Sequence, residues 1–401
     1  MIIFQPEVNN VDGSIVISSD VEVQSPSLAS IEMPNKLWFS FPETYQDFIS
    51  HQSDGFVASL ILRAMVLGED VEVRGTTSSR LAYGLEEFQA IFSAWLPRNL
   101  KKVGTTYQKL TSGSKPLSTH GVATAFSGGV DSFFTLFSHL PQNQLNSDYQ
   151  ITHGLFIHGF DVPLSNVELY NALWLRHRAL FGDLGLTLLS AKTNIRQFYA
   201  HQLDWLYAHG GALIGTALVL GKLFRSFYVP SDYDYTHPVP LGISPLTDHL
   251  FSTENTQIIH HGASTSRSHK IDQIAKWQVT FTNLTVCSGP QKAKEHLNCG
   301  KCHKCVSTMM HLYVIDQLSN YAVFPKCNIF ILCFRWFFNM GVDYEFLTTL
   351  IMRSFKVRKF WLVPFLLPVY LGGFYTDFMH KVKLITPYQI KYWIRECFGM
   401  V

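Results

Sequence analysis

A doubly wound α/β fold, built on a parallel sheet, is what the sequence predicts for its middle third, and three observations carry that expectation. Short apolar runs alternate with helical patterns from about residue 116 to 286. A glycine loop, Phe126-Ser127-Gly128-Gly129-Val130-Asp131-Ser132, joins one such run to the next helix. The polar clusters HGFD (158–161), KTNIR (192–196) and PSDYDY (230–235) fall where apolar runs end, which is where ligands sit in parallel sheets.

With 401 residues, 47% of them hydrophobic, the chain can bury a substantial core, and its length favours two or three domains. Residues 1–115 read as an N-terminal α+β module. GSIVISSDVEV (13–23), KLWFSF (36–41) and DVEVRG (70–75) are its strands. One helix starts at the capping pair Ser53-Asp54 with Phe56, Leu60 and Ala64 on one stripe, and a second spans Ser79 to Trp95. The module has no chemical signature and is expected to pack or to bind a protein partner.

The next domain, 116–320, follows a strict order. GVATAF (121–126) is a strand and SFFTLFSHL (132–140) a helix. ITHGLFIHGF (151–160) is a strand, NVELYNALWLRHRALFGDLG (166–185) a helix, and LTLLSAKTN (186–194) a strand. GGALIGTALVLGKLF (210–224) is a small-residue helix, best explained by packing, before the strand RSFYVPS (225–231).

Between a buried strand and a helix start, Ser-Gly-Gly-x-Asp-Ser forms a concavity of backbone N–H groups, because glycine allows close approach and positive φ. The helix adds its free N–H groups and the positive end of its dipole. The result is an anion cradle in which Ser127 and Ser132 are further donors and Asp131 is placed to hold Mg²⁺. The alternative is a glycine-rich turn without a ligand. A Walker loop is excluded, since no Gly-Lys-Ser/Thr follows.

Four of the seven cysteines form Cys287-x11-Cys299-x2-Cys302-x2-Cys305, a set suited to tetrahedral Zn²⁺ with no open position, hence structural. Redox chemistry and an iron–sulfur cluster are the rival readings.

The stretch SGGVDS (127–132) resembles the pyrophosphate loop of the ATP pyrophosphatase (PP-loop) superfamily, whose fold is that of the adenine nucleotide alpha-hydrolases. The resemblance implies that ATP is cleaved between its α and β phosphates, adenylating a substrate oxygen, and that a nitrogen or sulfur nucleophile then displaces AMP. It implies an ATP site of Ser127, Gly128, Gly129, Val130, Asp131 and Ser132. His158 and Gly159 would meet the adenine, unless they form only a turn. A basic residue at the helix start in ASTSRSHKIDQIAKW (263–277), Arg267 or Lys270, would return to the phosphates, so that Asp131, Ser132, Arg267 and Lys270 are the expected catalytic set. Lys192, Asn194 and Arg196 are expected at substrate or phosphate, and Asp232 and Tyr233 where a planar substrate could stack.

The ending NCGKCHKC (298–305) is similar to that of 7-cyano-7-deazaguanine synthases. Such a ligase would act on a small carboxylic acid, with ammonia, an amine or a protein amine as nucleophile, and the last case would fit antiphage defence. The likeness covers residues 116–320; the first cysteine spacer is longer than in that family, and the deazapurine-binding residues have no clear match. Sulfur transfer to tRNA is the alternative, although Cys327, Cys333 and Cys397 lack an activating setting. A non-catalytic nucleotide-binding regulator is a third reading, opposed by the intact serines and Asp131.

The basic, apolar helical region 321–401 completes the chain. From residue 326 on it carries ten Lys/Arg against four acids, a net +6, leaving −4 for the rest. Its run FWLVPFLLPVYLGGFY (360–375) is shorter than a bilayer span and interrupted by Pro364 and Pro368. It is expected to be a partner-docking or core segment, with an anionic membrane surface as the other option. The opening MIIFQPEVNN has no signal-peptide pattern, so a cytoplasmic location is expected, as is a homo-oligomer.

Overall fold

The computed structural model of the protein describes residues 1–24, 33–111, 121–200, 203–236, 239–287, 296–338 and 344–367. The chain forms two compact units: Met1–Lys270 with Asn283–Thr285, and Ile271–Thr282 with Val286–Val401.

The first unit opens with β1 (Ile2–Ile3), β2 (Glu7–Val11), β3 (Ser14–Glu22) and β4 (Lys36–Pro42). It continues with α1 (Asp54–Leu67), β5 (Val71–Ser78), α2 (Ser79–Trp95) and β6 (Thr105–Thr111). Strict alternation makes β4 a strand, since Leu37, Phe39 and Phe41 turn inward. Helix α1 is buried almost all round and lies against α5, introduced below. A Cβ on Gly55 would stand 2.6 Å from the Gly215 carbonyl oxygen, so the small residues of α5 serve helix packing. Ser53 occupies the N-cap of α1 without a side-chain cap bond, while the Asp54 carboxylate instead accepts the N–H of Ser78, 2.7 Å away.

The parallel part follows: β7 (Gly121–Ala125), α3 (Val130–Ser138), β8 (His153–His158), α4 (Val167–Asp183), β9 (Thr187–Thr193), α5 (Trp205–Val219), β10 (Phe224–Pro230) and β11 (Gln257–His261). The strand order β11-β10-β7-β8-β9 puts the first strand of the set in the middle. All four pairings are parallel. The order of connection therefore reverses between β7 and β10, the switch point at which open α/β sheets take ligands.

The expected boundary near residue 115 does not separate two bodies. β4 pairs antiparallel with β9 (Phe39 opposite Thr193), which joins the N-terminal strands to the parallel ones in an 11-stranded sheet among the described residues. One hydrophobic cluster runs from Met1 through Phe39 and Phe56 to Ile214, Phe227 and Ile258. The described strands of residues 1–111 extend the sheet rather than forming a module beside it.

Helix α6 (Arg267–Ile274) runs from the first unit into the second, which goes on with α7 (Gln278–Asn283), α8 (His303–Val314), α9 (Ile329–Phe338) and α10 (Tyr344–Lys356). Its interior holds Met309, Met310, Leu312, Leu332, Leu347, Leu350, Leu362 and Leu366. Asp272 accepts hydrogen bonds from His311 Nε2 (2.9 Å) and from both terminal nitrogens of Arg353. Lys359 donates to the Tyr313 (2.6 Å) and Val314 carbonyls, closing the end of α8. The cysteine segment and residues 321–367 thus share one unit, across the boundary expected at 320. Among the described residues no helix is long and apolar enough to cross a membrane. Of the expected tail, residues 368–401, with Lys381, Lys383, Lys391, Arg395 and Cys397, lie outside the described residues.

Candidate functional site

The glycine loop leaves β7 at the switch point. Phe126 anchors its start: the backbone N–H donates to the Leu155 carbonyl (2.9 Å), and its ring meets Phe133, Phe181 and His177 edge to face, at 5.1, 4.9 and 5.2 Å. Gly128 follows with φ +79°, and a Cβ there would stand 2.7 Å from His177 Cε1. Backbone conformation and space therefore both demand glycine. The Gly128 carbonyl accepts the Thr285 N–H at 2.7 Å, a tether from a distant segment. Gly129 is the N-cap of α3, so the first free N–H groups of that helix belong to the loop.

His177 lies under the loop, fully buried, with neither ring nitrogen hydrogen-bonded among the described residues. Burial, and then the charge of Arg176, hold its pKa down at about 3, so the ring is neutral. Ser127 is exposed and its Oγ accepts the Gly129 N–H at 3.3 Å. Ser132 is buried, its hydroxyl turned back to the Gly129 carbonyl at 3.0 Å, so it braces the helix start rather than pointing outward.

Asp131 is where the sequence and the geometry converge. Its Oδ2 lies 2.5 Å from Arg267 Nη1 and its Oδ1 3.0 Å from Lys270 Nζ. Spacing three apart puts both cations on one face of α6. Lys270 is 1% exposed, and its ammonium also donates to the Ser231 carbonyl (2.7 Å) and hydroxyl (2.9 Å) at the end of β10. Three acceptors match its three protons. The expectation that Asp131 offers a carboxylate to Mg²⁺ meets a carboxylate already neutralised by two cations.

The outlying residues divide. His158 Nε2 donates to the Pro163 carbonyl at 2.9 Å while the ring stacks on Tyr170 at 4.2 Å. Gly159, at φ +107°, turns the chain against the Thr193 carbonyl. Both take part in a turn at the end of β8, with the His158 ring engaged in that turn. Asn194 is buried and ties β9 to β4, accepting the Trp38 N–H (3.0 Å) and donating to the Lys36 carbonyl (2.9 Å). That engagement gives it a structural role between the two strands. Lys192 is exposed, opposite His158 in the β8–β9 register. Arg196 donates to the Phe160 carbonyl and lies over Trp205 at 5.4 Å. Asp232 and Tyr233 are exposed beyond β10, and Asp232 lies 3.5 Å from His209 Nε2. Burial opposes charge on His209, but the hydrogen bond and charge of Asp232, helped by Asp161, raise its pKa above the ordinary value.

In the second unit, the four sulfurs of Cys287, Cys299, Cys302 and Cys305 all lie within 4.8 Å of one another. The Cys299–Cys305 and Cys287–Cys302 separations are 3.9 and 4.0 Å. A tetrahedral zinc with Zn–S bonds of about 2.3 Å needs edges of about 3.8 Å, so the cluster could hold such a metal. Gly300, at φ +64°, makes the turn between ligands, where a Cβ would strike Pro325 at 2.5 Å. The Lys301 and Cys302 N–H groups point at Cys299 Sγ, at 3.4 and 3.3 Å, and Cys302 is the N-cap of α8.

No family model, curated protein or solved structure matches this chain. His177, Ser231 and Thr285 were not foreseen as parts of the site; of these only Ser231 gave a signal, standing at a strand end in PSDYDY.

Proposed function

We propose that this protein is an ATP-dependent ligase of the ATP pyrophosphatase type. The observation that carries the reading is the meeting, at the switch point of a parallel sheet, of a glycine loop at a helix N-terminus with Arg267 and Lys270, both aimed at Asp131. Loop amides, a helix dipole and two cations make a site for a polyphosphate.

In the proposed reaction a carboxylate oxygen of a small acid attacks the α-phosphorus of ATP, and the bond to the β-phosphate oxygen breaks. Pyrophosphate leaves into the loop. An amine or ammonia then attacks the acyl carbon, and AMP departs with the bond electrons while the nitrogen loses a proton. Mg²⁺ bound with the nucleotide would supply neutralisation of phosphate charge. When phosphate oxygens take over Arg267 and Lys270, the carboxylate of Asp131 is released next to them, and it is the acid at hand for that metal. The protein's own part is positioning and charge stabilisation. Cys287, Cys299, Cys302 and Cys305 would hold zinc with no open position, and the metal would serve the second unit's fold rather than the reaction.

The resemblance to 7-cyano-7-deazaguanine synthase supports nitrogen as the nucleophile. No observation favours sulfur transfer, because the unit that carries the loop contains no cysteine. Purified protein with Mg·ATP, ammonium and a panel of carboxylic acids, deazapurine acids included, tests the reading. AMP and pyrophosphate are expected in equal amounts, dependent on the acid; ADP and phosphate would remove it.

A further inference from the structure

The second unit carries an exposed apolar surface that the ligase reading does not use. Phe330 and Phe334, one turn apart on α9, are 60% and 64% exposed, and Met352 on α10 is 66% exposed. Phe355, Phe360, Trp361, Phe365 and Leu367 are exposed as well. They form two groups of touching rings, Phe330 with Trp361 (5.8 Å) and Phe365 (6.3 Å), and Phe355 with Phe360 (5.9 Å), joined where Phe360 and Trp361 are neighbours in the chain. Leu362 and Leu366 hold the segment down from the other side. Exposed apolar side chains in contact with one another mark a surface that something covers.

Cations identify the occupant. In Phe355-Lys356-Val357-Arg358-Lys359-Phe360-Trp361, bulky apolar residues alternate with bases, and Lys356 and Arg358 are exposed among the rings. Residues 326–367 carry six Lys/Arg against two acids. Protein interface cores are depleted of lysine, whereas aromatic rings beside Lys and Arg suit a bilayer boundary, rings among the upper acyl chains and cations among anionic headgroups.

We propose that this face of α9, α10 and residues 360–367 binds the surface of an anionic lipid bilayer without crossing it. The test is flotation of the full-length protein with vesicles of phosphatidylcholine alone and of phosphatidylcholine with one third phosphatidylglycerol. Binding is expected to the anionic vesicles only, weakening as salt is raised. Lys356→Gln with Arg358→Gln, both at exposed positions, should weaken it roughly 30-fold. Phe355→Ser with Trp361→Ser should abolish it, with the circular dichroism spectrum unchanged. Failure to float with anionic vesicles overturns the proposal, as does equal binding to neutral ones. A dimer in solution that the Phe355→Ser, Trp361→Ser variant dissociates, without flotation, would assign the face to a second copy instead.

Discussion

In Gly128→Ala, the new methyl group would stand 2.7 Å from His177 Cε1 and 3.0 Å from Nε2, on a backbone at φ +79° that disfavours any L side chain. Left-handed backbone costs about 1–2 kcal/mol. Forcing a methyl group into a packed interior adds about 1–3 kcal/mol. The imidazole cannot easily retreat, because Phe126 and Phe156 both meet it edge to face at 5.2 Å. The variant should therefore lose about 2–5 kcal/mol in urea unfolding. Removing the obstacle in Gly128→Ala with His177→Ala should recover the packing part alone, a coupling of about 1–3 kcal/mol in a double-mutant cycle, with the backbone cost left behind. A coupling near zero, or a Gly128→Ala protein as stable as its parent, would refute the geometry under the loop.

Other predictions concern charge and metal. Arg267→Ala should lower the rate of ATP cleavage by about 10²-fold or more while the protein remains folded, since in the proposed reaction the guanidinium turns from Asp131 to donate to the developing phosphate charge; an unchanged rate would take it out of the site. Asp232→Asn should lower the titration midpoint of His209, followed by NMR. With the native pKa raised, the His209–Asp232 pair stabilises the fold in full below the ordinary histidine value, and that contribution is lost as pH rises through the raised one. A midpoint unmoved by the substitution would mean that the carboxylate is not the cause. Cys299→Ser should reduce bound zinc from one equivalent to near none and destabilise the second unit, and iron in the parent protein would overturn the assignment.

Much of the parallel sheet was legible because its elements are coded locally. The runs ending at Ala125, His158, Thr193 and Pro230 are apolar and short, and each is closed by polar or glycine residues. Helix α2 begins at Ser79, as the pattern predicts, with Ser78 Oγ accepting the Leu81 N–H at 3.0 Å as its cap. Long-range facts were not coded in this way. That β4 continues the sheet beyond β9 depends on Phe39 meeting Thr193 across more than a hundred residues. No local pattern announces such a partner, and the alternation that makes β4 a strand is equally suited to a separate module. Strand β11 was missed because Gln257, His260 and His261 interrupt its apolar character. At the site, the loop was readable from residue type and its strand-to-helix setting, whereas its two cations were expected only from the family resemblance. The roles of His158 and Asn194 were not readable: each has a ligand's chemistry, and only the hydrogen bonds to the Pro163, Trp38 and Lys36 backbone reveal structural parts.

Co-crystals with Mg²⁺ and α,β-methylene-ATP, which cannot be cut at the proposed bond, locate the polyphosphate. The β and γ phosphates should lie within hydrogen-bond distance of the amides of residues 128–132, with Arg267 and Lys270 turned from Asp131 toward them. A polyphosphate bound away from the loop, with both ion pairs of Asp131 intact, would contradict the account.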